Sequence, residues 1–288
     1  MSWALVILIY IAWMIATWFH ETIPLWLLMP LGAVLIAWHG SFQHEAVHHH
    51  FSERPWLNDL AAYPPLALWL PFPIYRRTHR VHHSFNLLTD PFRDPESFYV
   101  AQASWTNLPA AVRRVLIWHN TLSGRLLLGP FLVIGQFSYS EAKALLHGDR
   151  RHLRAWLLHI PASTAVLVWI TIVADMSVPT YLGCFVLPGL SLTLVRSFAE
   201  HKAANTPLER TAIVEAGPFF SLLFLNNNLH FAHHRRPDLP WQALPAYYSR
   251  NRAMLLEENG GLYYPGGYRE IAHRFLTHPV DRPEHPYC

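Results

Sequence analysis

The chain has 288 residues, of which 52% are hydrophobic and only 14% charged, with a formal net charge of +3. Ordinary soluble domains carry roughly a quarter charged residues, so the balance points away from a solvated globule and toward a membrane. Two cysteines, Cys184 in an apolar run and Cys288 at the terminus, exclude a disulfide framework and any CxxC metal or redox site.

Residues 2 to 19, SWALVILIYIAWMIATWF, are apolar throughout. As a helix they would reach roughly 27 Å, close to the hydrocarbon thickness of a bilayer. The segment lacks the positive start and the small-residue cleavage site of a signal peptide, so it reads as a retained first span. After the turn HETIP, residues 25 to 40 form a second span that returns to the original side. Residues 155 to 174 and 179 to 196, joined by DMSVP, make a second hairpin. The fold class expected is an all-α membrane protein, with four transmembrane helices in two hairpins and a single domain over residues 1 to 288. Residues 41 to 154 and 197 to 288 then share one face as a helical cap.

Charge orients that arrangement. None of the 22 Lys and Arg residues precedes Arg54, and none lies in HETIP or DMSVP. The positive-inside rule makes the basic face cytoplasmic. Between the hairpins, YPPLALWLPFPIY and GRLLLGPFLVIGQF are apolar but short or broken by proline, which suits interfacial or re-entrant helices better than further spans. An extra span there would divide the histidine-rich segments across the bilayer. From PWQALP onward the chain reads as a proline- and tyrosine-rich cytoplasmic cap.

Twenty histidines are far more than packing requires. Three clusters stand out: HEAVHHH at 44 to 50, HRVHH at 79 to 83 and HFAHH at 230 to 234. In each, histidines at i and i+4, with i+3 added in the second and third, share one helical face. Neutral imidazole suits iron and zinc. The first cluster alone fits H-E-x-x-H, in which two histidines hold zinc and Glu45 would activate water for peptide hydrolysis. A membrane zinc protease of that type needs three protein ligands, so two further clusters would be surplus. Eight histidines shared between two metals fit better. A metal transporter would need polar residues along its spans, and these offer little beyond His159.

The three clusters resemble, in order, the histidine boxes of the integral-membrane fatty acid desaturase and hydroxylase superfamily, which includes alkane hydroxylases and carotenoid ketolases. The resemblance runs over roughly residues 38 to 245 and takes in TDPFRDPES and HHRRPDLPWQALP. It implies a cytoplasmic di-iron centre, held mainly by histidines, that uses O2 against an unactivated C–H bond of a lipid or fatty acyl chain. Carried over box by box, the ligands are His44 and His48, then His79, His82 and His83, then His230, His233 and His234. His201 in RSFAEHKA stands where the family often has one more. The first box runs on into His49 and His50, and His39, about 140° round the helix from His44, could serve in another register. No catalytic residue beyond the metal centre is expected.

Outer-shell acceptors for the imidazoles are sought among Glu45, Asp90, Asp94, Glu200 and Glu215, with Glu45 and Glu200 favoured because they adjoin ligands. NNNLH at 226 to 230 is equally a helix cap or part of the site. His20, His119, His147, His152, His159, His273, His278 and His285 lack box spacing and are expected at the surface or the interface. Arg76-Arg77 and Arg235-Arg236 read first as topology determinants. With no cysteine redox centre, dinucleotide fingerprint or H-P-G-G haem signature, electrons are expected from an external ferredoxin, rubredoxin or cytochrome b5 with its reductase. Desaturation is the first expectation and hydroxylation or ketolation the alternative.

Overall fold

The structure, a computed structural model, describes residues 2–288. The chain starts with the apolar helix α1 (Ser2–Trp18), then α2 (Leu25–Val47), α3 (Pro55–Ala62) and α4 (Phe72–His82). Helices α5 (Gln102–Asn107), α6 (Ala110–His119) and α7 (Leu122–Leu146) follow, and α8 (Leu153–Val168) continues through a π turn to Val173. Helix α9 (Val178–Tyr181), a π turn at Leu182–Val186 and α10 (Leu187–Glu200) form one 23-residue rod. The last elements are β1 (Ile213–Val214), α11 (Pro218–Leu223), α12 (His230–Arg235), α13 (Leu244–Glu258), β2 (Tyr263–Tyr264) and α14 (Gly267–Phe275).

Among the described residues three helices are long and apolar enough to cross a membrane: Leu25–Val47, Leu153–Val173 and Val178–Glu200. They coincide with three of the four predicted spans. The first predicted span is also helical, but at 17 residues α1 is shorter. GRLLLGPFLVIGQF lies inside the 25-residue helix α7, with Pro130 in its interior, and α7 is not among those three helices.

The chain divides into two compact units, the first comprising residues through Arg76 with Gly129–Thr193, the second Arg77–Leu128 with Leu194–Cys288. The core of the first gathers Trp13, Leu28, Ile36, Leu66, Ile170, Tyr181 and Phe185. Close helix approach there depends on glycine. A Cβ on Gly189 would collide with the Ile36 side chain, and one on Gly32 with the Cys184 carbonyl. Small residues at such crossings let membrane helices pack without a hydrophobic driving force between them. A buried polar chain crosses this core: Trp13 Nε1–H donates to Tyr181 Oη at 3.0 Å, and that hydroxyl donates to the Leu66 carbonyl at 2.7 Å.

In the second unit β1 and β2 pair in parallel, Ile213 opposite Tyr263. Around them Ile213, Leu229, Phe231, Leu244, Tyr248 and Leu255 form a core that contains the buried side of α12. Backbone bonds from Ala212 N–H to Glu200 O (2.8 Å) and from Phe231 N–H to Ala212 O (3.0 Å) tie the end of α10 to the start of α12. The small core thereby holds the third histidine cluster in place.

Candidate metal centre

In the second unit, one ring nitrogen from each of His82, His201, His230 and His234 lies within 4.8 Å of the other three. His82 ends α4, His201 follows α10, and His230 and His234 share one face of α12, so three separate segments supply the four imidazoles. His82, His230 and His234 are all at most 3% exposed. Adjacent Nε2 atoms are 3.0 Å apart for His82 and His201, 3.0 Å for His201 and His230, and 3.1 Å for His230 and His234.

The other ring nitrogens explain what the Nε2 atoms can do. His201 Nδ1–H donates to the Arg210 carbonyl at 3.2 Å. His230 Nδ1–H donates to Asn227 Oδ1 at 3.1 Å, with a Glu200 carboxylate oxygen 3.4 Å away. A neutral imidazole has one proton, so in both rings Nε2 is left with a lone pair. Two buried lone pairs facing each other at 3.0 Å repel, and a cation between them turns that repulsion into ligation. His82 Nδ1–H is committed in the same way, to Asp94 Oδ1 at 2.9 Å.

Electrostatics agree with this division. Burial holds His230 and His234 well below the ordinary histidine value, reinforced by neighbouring imidazoles, and burial does the same for His201 with His82 adding to it. These rings stay neutral, as ligation requires. For His82 burial acts downward too, but the carboxylates of Glu96 and Asp94 outweigh it and raise the group to about 9. The carboxylates thus favour positive charge at this point, which a proton or a bound metal can supply.

A second convergence in the same unit brings ring nitrogens of His79, His83 and His233 within 4.8 Å of one another. His83 Nε2 is 3.0 Å from His79 Nε2 and 3.2 Å from His233 Nε2. His79 Nδ1–H donates to Glu96 Oε1 at 2.8 Å. In the first unit, His44 and His48 stand at the C-terminal end of α2 with ring centroids 5.2 Å apart. Glu45, 2% exposed, accepts from His50 Nδ1–H at 2.8 Å and lies 3.8 Å from His44 Nδ1. His49 takes a left-handed φ of 62° as the helix ends. His39 belongs to neither convergence, for its Nε2–H is spent on the Tyr10 hydroxyl at 3.2 Å.

The outer-shell expectations divide. Glu200 sits beside His230 and Arg196, as foreseen. Asp94, a candidate ranked behind Glu45 and Glu200, is the direct partner of His82, and Glu96, not foreseen, that of His79. Both come from TDPFRDPES, where two acidic residues two apart directly after a histidine cluster were the available signal. Asp90 instead binds Arg93, and Glu215 binds Tyr248, Tyr263 and Arg252. In NNNLH only Asn227 reaches a clustered imidazole; Asn226 and Asn228 brace the Trp241 and Val214 carbonyls. His119, His159 and His285, expected at the surface or interface, are buried.

A family model described as fatty acid desaturase matches residues 21–266. Comparison with curated proteins finds no match.

Proposed function

Because the chain belongs to the fatty acid desaturase family, a family of membrane oxidoreductases, we propose that it is an O2-dependent di-iron enzyme oxidising an unactivated C–H bond of a lipid or fatty acyl chain, most readily to a double bond. The observation that carries the reading is the His201–His230 pair, whose committed Nδ1 protons leave two buried Nε2 lone pairs 3.0 Å apart. The donor set fits the group: neutral imidazoles suit iron, and each proposed site has oxygen acceptors fixing its tautomers.

On this reading His82, His201, His230 and His234 hold one iron, His79, His83 and His233 contribute to the other, and His44 and His48 are the ligands that the first box adds by its resemblance to the family. When bound, the two irons supply the activation of O2 that oxidation of an alkyl chain requires. The protein's own contribution is positional. Asp94 keeps the proton of His82 on Nδ1, Glu96 does so for His79, and Asn227 does so for His230, with the Glu200 carboxylate 3.4 Å away. Each ring is thereby turned so that Nε2 points to the neighbouring imidazoles of its group. The desaturase reading follows the forms of the three boxes, and hydroxylation or ketolation is the outcome that product analysis would show instead. The proposed orientation puts the histidines on the cytoplasmic side, because every Lys and Arg lies from Arg54 onward and outside HETIP and DMSVP. Electrons come from an external ferredoxin, rubredoxin or cytochrome b5 with its reductase.

Metal analysis of detergent-purified protein, followed by lipid product analysis with an added donor system, tests the proposal. Two irons per chain and an O2-dependent loss of two hydrogens from an acyl chain are expected. A single zinc with peptide hydrolysis that depends on Glu45 would replace the reading with a protease.

A further inference from the structure

The C-terminal residues lie beyond the match to the family model, which ends at residue 266. They are nonetheless joined to the chain around the second histidine box. Val100 N–H donates to Pro283 O, His285 N–H to Val100 O and Gln102 N–H to Cys288 O, each at 2.8 Å. Val280 N–H to Asn120 O (2.9 Å) and Asn120 Nδ2–H to Asp281 O (3.2 Å) anchor the start of this strap.

From it two side chains lead inward. His285 is 2% exposed, and its Nδ1 accepts the Tyr287 N–H at 3.1 Å, so its proton resides on Nε2. Nε2–H is 3.3 Å from Thr89 Oγ1, to which it donates. Thr89 is a β-branched residue at φ 68°, a left-handed conformation that persists only where surroundings enforce it. In that conformation its N–H donates to Asp94 Oδ2 at 2.9 Å, while Asp94 Oδ1 accepts from His82 Nδ1–H at 2.9 Å. The other path starts at Asp281, whose Oδ2 accepts the Tyr99 hydroxyl proton at 2.8 Å. The same hydroxyl oxygen accepts the Ala203 N–H at 2.9 Å, two residues past His201.

Resting on the di-iron reading above, we infer that residues 281–288 form a positioning strap for one of the two metal sites, with His285 setting His82 through Thr89 and Asp94, and Asp281 setting His201 through Tyr99. Neither His285 nor Asp281 touches the metal. Each fixes the geometry of a loop that presents a ligand, so loss of either loosens the His82–His201–His230–His234 site selectively.

The test is cobalt(II) loading of the full-length protein in detergent, read by the visible ligand-field spectrum and by transfer of cobalt to a chelator. In His285→Ala one of the two cobalt ions should leave roughly ten-fold faster, at the low end for an outer-shell partner, with a changed spectrum and unchanged helix content. His285→Gln, whose side-chain amide keeps a donor for Thr89, should restore retention, and the nearly isosteric Tyr99→Phe should loosen the same ion. Both ions held as in the wild type by His285→Ala and Tyr99→Phe would overturn the strap. Equal loss of both ions in His285→Ala and His285→Gln would also overturn it, by showing a merely structural role. A wild type that binds no cobalt, or a His230→Ala variant that keeps both ions, would instead overturn the di-iron reading and the strap with it.

Discussion

His39 and His159 in the first unit are buried, as His82 and His230 are in the second, yet their chemistry is opposite. His159 Nε2–H donates to the Leu68 carbonyl at 2.8 Å, and His39 Nε2–H donates to a tyrosine hydroxyl. In the second unit it is Nδ1 that is spent, and Nε2 faces other Nε2 atoms. Burial alone therefore says nothing about ligation. What decides is which ring nitrogen the protein has already used, and whether the remaining one meets a hydrogen-bond partner or another lone pair.

The sharpest way to break this contrast is to remove one histidine of each kind. His230→Ala should cost one metal ion per chain and lower product formation by more than about 100-fold, beyond what loss of an outer-shell partner typically does. His159→Ala should leave metal content unchanged. Equal metal loss in both variants would mean that the distinction drawn from the nitrogen partners is empty. Metal analysis of the two purified variants decides it.

Asp94 sharpens the contrast from the carboxylate side. Asp94→Ala removes the acceptor that fixes the tautomer of His82, and a drop of about 10- to 100-fold in metal affinity is expected. Asp94→Asn retains an acceptor oxygen for His82 but turns an amide toward the Thr89 N–H, so it should fall between wild type and alanine. Chelator competition measures the series. A flat series would remove Asp94 from the site.

Much of this arrangement was legible in the sequence because it is local. Histidines three and four apart must share a helical face, and the i and i+4 positions of HFAHH do converge as α12. Apolar runs of sufficient length likewise became the three long helices. What escaped depends on partners far away in the chain. The His159 ring is received by the Leu68 carbonyl, the His285 ring by the Thr89 hydroxyl, and the His285 backbone N–H by the Val100 carbonyl. Asp94 and Glu96 reach their imidazoles only after the left-handed turn at Thr89, which no propensity of threonine foretells. The extent of α7 escaped too, because whether a helix runs on past a proline such as Pro130 depends on its packing.

A stability measurement separates the two kinds of histidine from the opposite direction. His159→Leu leaves the Leu68 carbonyl without its donor, and an unsatisfied buried acceptor costs about 1–3 kcal/mol. Thermal unfolding in detergent should therefore register the change while the metal content stays at the wild-type value. An unchanged unfolding temperature would mean that water or lipid headgroups reach the carbonyl.

The smallest expected effect is at His39, the alternative register for the first box. Tyr10 Oη receives the His39 Nε2–H and passes its own proton to the Ala61 carbonyl at 2.6 Å. Tyr10→Phe deletes this relay and releases His39 Nε2 from its commitment. The ring can shift its proton to Nδ1, so the net loss should stay near the 0.5–1.5 kcal/mol of an ordinary hydrogen bond. Iron content and ligand-field spectrum should not move, because a freed imidazole binds metal only where other ligands converge with it, and His39 lies in no such group among the described residues. A changed spectrum in Tyr10→Phe would show that His39 is within reach of the iron and that the first box is used in the other register. The partner rule would then have failed at the one histidine where the sequence had left the choice open.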